Sequence, residues 1–164
     1  MNDEQLSDHQ IATIRQSLVD TAKTLKGIPY QIAVTQADRD AMVGKWTDLS
    51  KPPATLDCSG LVAGTFQKCG LKMPHGSQAQ FDFTLSTAYP QDGDLGFFGH
   101  DKDIFKIYHV GIVYGGFVIE ARATDKKASF PTGMVILRPM EKWSNWSNFC
   151  GWRVHPKLVQ IKAV

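Results

Sequence analysis

The chain has 164 residues, of which 43% are hydrophobic and 21% charged, and its formal net charge is +2. This length and composition are typical of one globular domain that is large enough to bury a core. So small a net charge gives no reason to expect a nucleic-acid partner, although it permits a weak attraction to an anionic polymer. The three cysteines include no CxxC pair, which argues against a disulfide framework or a zinc site.

The first residues, Met1 to Glu4, carry acidic side chains and lead into no apolar segment, so we expect no signal peptide. No apolar run in the sequence is long enough to span a membrane. We therefore expect a single domain over residues 1–164 that is made in the cytoplasm. A target outside the cytoplasm would require a separate route of delivery.

The first predicted element is an amphipathic helix. Its apolar residues recur at spacings of three and four along the chain: Ile11, Ile14, Leu18, Ala22 and Leu25. Ser7 and Gln10 have the spacing of a capping box at the start of this helix, and Gly27 is suited to its end. The pattern indicates packing and carries no chemistry.

Residues 31–55 are less regular and predict a long loop with one helical turn around residues 36–43. Long loops in compact domains often bind or cover a ligand. Trp46 within this loop either lines a groove or pins the loop to the body of the domain.

A second apolar helix is predicted to begin at Cys58 and to stop at Gly70. A helix N-terminus has a partial positive charge and free N–H groups, and both favour a thiolate at Cys58 over a thiol. Alternatively, Cys58 is a small apolar residue at the start of a core helix, as free cysteines often are. Cys69, which shares a helix face with Val62 and Phe66, is interpreted in this second way.

The remaining pattern changes from helix to strand. A short helix is predicted over residues 78–86, and His75 before it is interpreted as a solvated turn residue. Five short strands are then expected, over residues 95–98, 107–114, 117–122, 134–138 and 149–154. Helices followed by a run of strands indicate an α+β domain with an antiparallel sheet.

The glycines at positions 115 and 116 predict a two-residue hairpin, since both can adopt positive φ. If Tyr114 pairs with Phe117, then His109, Glu120 and Arg122 lie on one face of the sheet. His109 and Glu120 are then diagonal neighbours, close enough for the carboxylate to accept the imidazole Nδ1–H.

This arrangement resembles the base and orienting group of a cysteine-nucleophile triad, with Cys58 as the nucleophile. A structural His109–Glu120 or Arg122–Glu120 pair on a half-buried sheet face is the alternative. The sequence alone does not show that Cys58 and His109 meet in space.

Three separated motifs resemble the NlpC family of bacterial cell-wall cysteine peptidases: residues 57–62 (DCSGLV), 93–98 (GDLGFF) and 109–114 (HVGIVY). Residues 27–30 and 74–80 resemble the segments that flank the cysteine helix in that family. The resemblance implies a papain-like fold, in which N-terminal helices pack on a five- to six-stranded antiparallel sheet. It is related to the fold of the CHAP amidases.

When the family's functional residues are matched by position to this sequence, the resemblance implies Cys58 as nucleophile, His109 as general base and Glu120 as third member of the triad. The family often has histidine in the third place, so Glu120 is a departure. Tyr30, Asp57 and Ser59 would shape the substrate pocket. The long 31–55 insertion and the absence of the family's usual Trp-Gly-Gly after Tyr30 are further departures.

The resemblance implies hydrolysis of an amide in peptidoglycan stem peptides, next to D-glutamate or diaminopimelate, through a thioester and without a metal or other cofactor. Delivery by a phage particle, a lysis system or a secretion system would bring the protein to the wall, and an immunity protein is a further expected partner. A CHAP-like amidase, a transferase or a deamidase would use the same triad. A non-catalytic wall-binding module would retain the triad without using it.

Overall fold

A computed structural model of the chain describes residues 5–44, 52–123 and 133–160. Trp46 and the first four residues lie outside the described residues. The helices are α1 (Asp8–Lys23), α2 (Gln36–Gly44), α3 (Cys58–Lys68), α4 (Ser77–Phe83) and α5 (Met140–Ser144). The strands are β1 (Leu85–Ser86), β2 (Leu95–Gly99), β3 (Ile107–Tyr114), β4 (Phe117–Ala123), β5 (Gly133–Pro139) and β6 (Phe149–Val154).

The strands form one six-stranded antiparallel sheet in the order β1-β6-β2-β3-β4-β5. The predicted α+β class with an antiparallel sheet is therefore confirmed. Within the described ranges, no helix combines the length and the apolar character that crossing a membrane requires.

The β3–β4 hairpin has the predicted register. Tyr114 pairs with Phe117, Val113 with Val118, and Ile112 with Ile119. Both turn glycines have positive φ, 50° at residue 115 and 85° at residue 116, which is why a two-glycine turn closes this hairpin. The predicted placement of His109 and Glu120 on one face follows from this register.

Two predicted elements differ from the structure. The helix expected over residues 78–86 ends at Phe83, because Thr84 is extended and Leu85 and Ser86 pair with Val154 and Arg153 of β6. The Arg153 side chain donates hydrogen bonds to Thr84 and to Ser86 and fixes this short edge strand. The helical turn expected around residues 36–43 is a nine-residue helix, α2.

One face of the sheet packs against α1, α3 and α4 and forms the main core. Helix α3 is the most enclosed of these, since every residue from Ser59 to Phe66 is buried. Helix α1 begins with the predicted capping box, in which Ser7 and Gln10 bond reciprocally. Cys69 is half-buried beside this core, and its sulphur lies 3.7 Å from the hydroxyl of Thr21.

The opposite face of the sheet has a smaller core, formed by Phe98, Val118 and Trp143. The Trp143 indole is fully buried and stacks on Phe98 with ring centroids 4.3 Å apart. A Cβ at Gly111 would lie 2.9 Å from the indole, so glycine there makes room for Trp143. His109 and Glu120 are on this second face, where Glu120 is fully buried and His109 is partly exposed.

Candidate active site

Cys58 is the first residue of α3, and Asp57 is its N-cap. Asp57 has extended backbone, and its Oδ1 accepts a hydrogen bond of 2.6 Å from the Gly60 amide. No acidic residue follows Asp57 in the first turn of α3, so the N–H groups that Asp57 does not cap present a positive end to the Cys58 side chain. The sulphur of Cys58 is 4.0 Å from the carbonyl oxygen of Tyr108, which places it against the start of β3.

His109 lies on β3 with its side chain directed to Glu120 on β4. The imidazole Nε2 is 3.0 Å from Glu120 Oε1. The sequence predicted a bond through Nδ1 instead, and that detail is wrong, because the orientation of the ring is set by packing against Phe98 and Trp143. With Nε2 bound to the carboxylate, Nδ1 is the ring nitrogen left for Cys58.

The charges of Cys58, His109 and Glu120 are coupled. Burial disfavours a charged His109, but hydrogen bonds and the negative charges of Cys58 and Glu120 outweigh burial and raise its pKa from 6.5 to about 9. Burial opposes ionisation of Glu120 as well, yet the bonds from His109 and Arg138 lower the pKa of its carboxyl. At neutral pH the pair is therefore an imidazolium bound to a carboxylate.

Glu120 also has two partners that the sequence did not reveal. Arg138 donates to both carboxylate oxygens, at 2.6 Å and 2.8 Å, and the Trp143 indole donates at 2.7 Å. The sequence considered Arg122 as an ionic partner of Glu120, whereas the structure places Arg138 there. Arg138 of β5 pairs with Val118 of β4, so the β4–β5 register would have placed it on the same face as Glu120.

Cys58 and His109 line one cleft of about 200 Å³. Its walls come from the loop before α2, from the sheet and from the segment after α5. The other lining residues are Tyr30, Phe98, Tyr108, Ala121, Arg122, Ala123, Arg138 and Trp146. Of the predicted site residues, Cys58, His109 and Tyr30 line the cleft, and Glu120 joins them through its contact with His109.

Two backbone contacts hold Tyr30 at the cleft. It forms a parallel bridge with Leu56, just before α3, and its amide donates to the carbonyl oxygen of Gly133. Burial, together with the negative charges of Cys58 and Asp57, raises the pKa of the Tyr30 phenol to about 12. The hydroxyl therefore stays protonated and can donate a hydrogen bond beside Cys58.

Asp57 and Ser59 are buried and lie outside the lining of this cleft. Asp57 Oδ2 accepts a hydrogen bond from the Ala33 amide at 3.0 Å, and the Ser59 hydroxyl lies 3.4 Å from Oδ1. In the structure these contacts join the loop before α2 to the N-terminus of α3. Hydrogen bonds from His75, Ala33 and Gly60 outweigh burial and lower the pKa of Asp57.

His75 is not the solvated turn residue that the sequence predicted. Its side chain is only 14% exposed, and Nε2 lies 3.4 Å from Asp57 Oδ1. The turn after α3 folds back over the first turn of that helix, which buries the imidazole beside the N-cap. In the part of the chain that the structure describes, no group of three or more His, Cys, Asp or Glu side chains could hold a metal ion.

Residues 43–139 match the model of the NlpC/P60 family. The chain belongs to the NlpC/P60 family. The matched range contains Cys58, His109 and Glu120, and it ends just after Arg138. Family membership and the six-stranded sheet confirm the resemblance seen in the sequence motifs.

Individual relatives agree with this assignment. The bifunctional muramidase/DL-endopeptidase CwlT of Bacillus subtilis is 41% identical over 68 residues, which cover 40% of this chain and 21% of CwlT. The match thus spans about a fifth of that relative.

Solved structures show the same fold. An NlpC/P60 family protein from Bacillus cereus aligns over 93% of this chain and 41% of its own, with a TM-score of 0.65 and 22% identity. The resuscitation promoting factor interacting protein RipA, mutated at a glutamate, aligns over 94% of this chain and 67% of its own, with a TM-score of 0.66 and 20% identity. Two other RipA structures are mutated at a cysteine and at a histidine.

Proposed function

We propose that this protein is a cysteine hydrolase that cleaves an amide bond in peptidoglycan stem peptides. The observation that carries the proposal is one cleft lined by His109 and by a cysteine at a helix N-terminus, with the buried Glu120 paired to His109. A nucleophile, a base and a group that orients the base are the parts that acyl transfer through a thioester requires.

The first half of the proposed reaction forms a thioester. The Cys58 thiolate attacks the carbonyl carbon of the amide, and the carbonyl oxygen becomes an oxyanion. The backbone N–H of Cys58 at the start of α3 is one donor for this oxyanion, and the protonated Tyr30 hydroxyl in the same cleft is a second. His109, charged at neutral pH, then gives its proton to the leaving amine.

The second half of the reaction releases the acid. His109, now neutral, accepts a proton from water while that water attacks the thioester carbon. Glu120 holds the imidazole through Nε2 in both halves, so Nδ1 stays directed to the reacting atoms. The products are a peptide with a new carboxyl group, a peptide with a new amine, and the starting enzyme.

Two comparisons support the peptidoglycan substrate and the triad. The relative CwlT is named a muramidase and DL-endopeptidase. RipA was mutated at a cysteine, a histidine and a glutamate, the residue types of the proposed triad. The name DL-endopeptidase supports cleavage between a D- and an L-residue, and the bond between D-glutamate and diaminopimelate is the one that the resemblance of the sequence motifs implies.

The test is digestion of purified sacculi in water enriched in ¹⁸O, with the muropeptides analysed by mass spectrometry. We expect the wild type to release a peptide with one ¹⁸O in its new carboxyl group, and Cys58→Ala to release none. A transferase would join the peptide to another amine without incorporating ¹⁸O. An unchanged muropeptide profile with the wild type would show that the proposal is wrong.

A further inference from the structure

The Glu120 carboxylate is bound by Arg138 as well as by His109. Arg138 Nε is 2.6 Å from Oε2, and Nη2 is 2.8 Å from Oε1, the oxygen that also contacts His109. The Glu120 side chain is 0% exposed, whereas the Arg138 side chain is 19% exposed at the wall of the cleft. The two residues therefore form a bidentate ion pair directly behind the imidazole.

This geometry fixes the plane of the carboxylate. The guanidinium presents its N–H groups in a rigid fork that matches the two oxygens of a carboxylate. The terminal torsion of a glutamate is otherwise broad, and apart from Arg138 each carboxylate oxygen has a single partner, His109 at Oε1 and the Trp143 indole at Oε2. With Arg138 on both oxygens, Oε1 stays directed at His109 Nε2.

The contact with Arg138 also compensates the charge of Glu120 during the reaction. A buried carboxylate requires a compensating positive charge. His109 supplies that charge only while it is protonated, and in the proposed reaction it gives its proton to the leaving amine. Arg138 remains charged throughout. It therefore keeps Glu120 ionised in the step where His109 is neutral.

We propose that Arg138 is a positioning residue of the proposed hydrolase, acting through Glu120 to hold His109 in its reactive orientation. The inference rests on the proposed function for its catalytic meaning. It also explains how this chain accommodates a glutamate in the third place of the triad, since the ion pair with Arg138 neutralises a charge that the fold buries.

Arg122 provides a matched control. It lies on β4, lines the same cleft and carries the same charge as Arg138. Within the described residues it makes no ion pair with a carboxylate. Arg122→Met therefore measures what the loss of a positive charge in the cleft does by itself.

The experiment is a double-mutant cycle, with kcat and KM for soluble muropeptides measured across pH. The variants are Arg138→Met, Arg138→Lys and Glu120→Gln, the control Arg122→Met, and the double variants that combine Glu120→Gln with Arg138→Met and with Arg122→Met. We expect Arg138→Met to lower kcat by about 10- to 100-fold, the range for one hydrogen bond to a charged group. Arg138→Lys keeps the charge without the fork and should fall between this variant and the wild type.

The decisive result is whether the effect of Arg138→Met on kcat depends on Glu120. If Arg138 acts through Glu120, Arg138→Met causes no further loss of kcat in the Glu120→Gln background, whereas the effect of Arg122→Met is the same in both backgrounds. Loss of activity on the acidic side should also begin at a higher pH in Arg138→Met than in Arg122→Met. Equal effects of Arg138→Met in both backgrounds, or an unchanged kcat, would overturn the inference.

Two further measurements keep the test decisive. If Arg138→Met fails to fold, the cycle is made with Arg138→Lys, and the same dependence on Glu120 is required. The alkylation rate of Cys58 by iodoacetamide gives the same comparison without a substrate, so it tests Arg138 even if the wild type leaves peptidoglycan uncut. In that event the proposed function fails, and the cycle of alkylation rates alone supports or overturns the role of Arg138.

Discussion

Replacing Glu120 with glutamine tests the electrostatic basis of the site. The side chain keeps its size, but the charge that faces His109 is lost. The pKa of His109 is raised from 6.5 to about 9, which corresponds to about 3 kcal/mol in favour of the imidazolium. Glu120 and Cys58 share this stabilisation. We therefore expect the variant to lower the pKa of His109 from about 9 towards 6.5.

The assay is an NMR titration of the His109 ring in wild type and variant, combined with the pH dependence of kcat/KM. We expect the alkaline loss of activity to begin at a lower pH in Glu120→Gln. Glu141→Gln, at an exposed glutamate in α5, is the matched control and should leave the titration unchanged. An unaltered His109 titration in Glu120→Gln would show that the Glu120 charge does not raise the pKa of His109.

The same substitution should lower stability, because Arg138 loses its ionic partner inside the protein. Breaking a buried ion pair from one side costs about 3–5 kcal/mol in the free energy of unfolding. Because the pKa of His109 is raised in the folded state, the stability that the His109–Glu120 pair contributes is fully present below pH 6.5. It is lost as the pH rises through about 9. The difference in stability between wild type and variant should therefore narrow at alkaline pH, as chemical denaturation at several pH values would show.

Three further predictions follow from the packing and the charges. Gly111→Ala should lower the free energy of unfolding by about 1–3 kcal/mol, since its Cβ would lie 2.9 Å from the buried indole, and an unchanged denaturation midpoint would contradict this. Asp57→Asn should destabilise α3 by about 1 kcal/mol at neutral pH, because an amide has only one oxygen to accept the Gly60 and Ala33 N–H groups and brings no negative charge to the helix N-terminus. Because the pKa of Asp57 is lowered in the folded state, this difference should disappear as pH falls below about 4, and a difference that persists in acid would argue against it. Iodoacetamide at neutral pH should label Cys58 before Cys69 and Cys150, since burial raises the pKa of both of those thiols, and peptide mapping would show the order.

The part of the site that could be predicted from the sequence depends on local rules. Two adjacent glycines set the register of one hairpin, and the register places His109 and Glu120 on one face. The N-terminal position of Cys58 follows from the apolar run after it and from the capping side chain of Asp57. Both features need only residues that are near in sequence.

The contacts that could not be predicted depend on distant parts of the chain. Arg138 and Trp143 are 18 and 23 residues from Glu120, and no two-residue turn between β4 and β5 sets their register. His75 is buried because the turn after α3 folds back on Asp57, which no local pattern indicates. The choice of Nε2 over Nδ1 on His109 depends on ring packing against Phe98 and Trp143.

In the proposed hydrolase, Cys58 performs the chemistry. The most direct test of this role is the initial rate of amine release from purified muropeptides by Cys58→Ala, compared with Cys69→Ala as a matched cysteine outside the cleft. We expect Cys58→Ala to reduce the rate to that of the buffer alone and Cys69→Ala to stay close to the wild type. Amine release by a folded Cys58→Ala variant at the rate of the wild type would contradict this role.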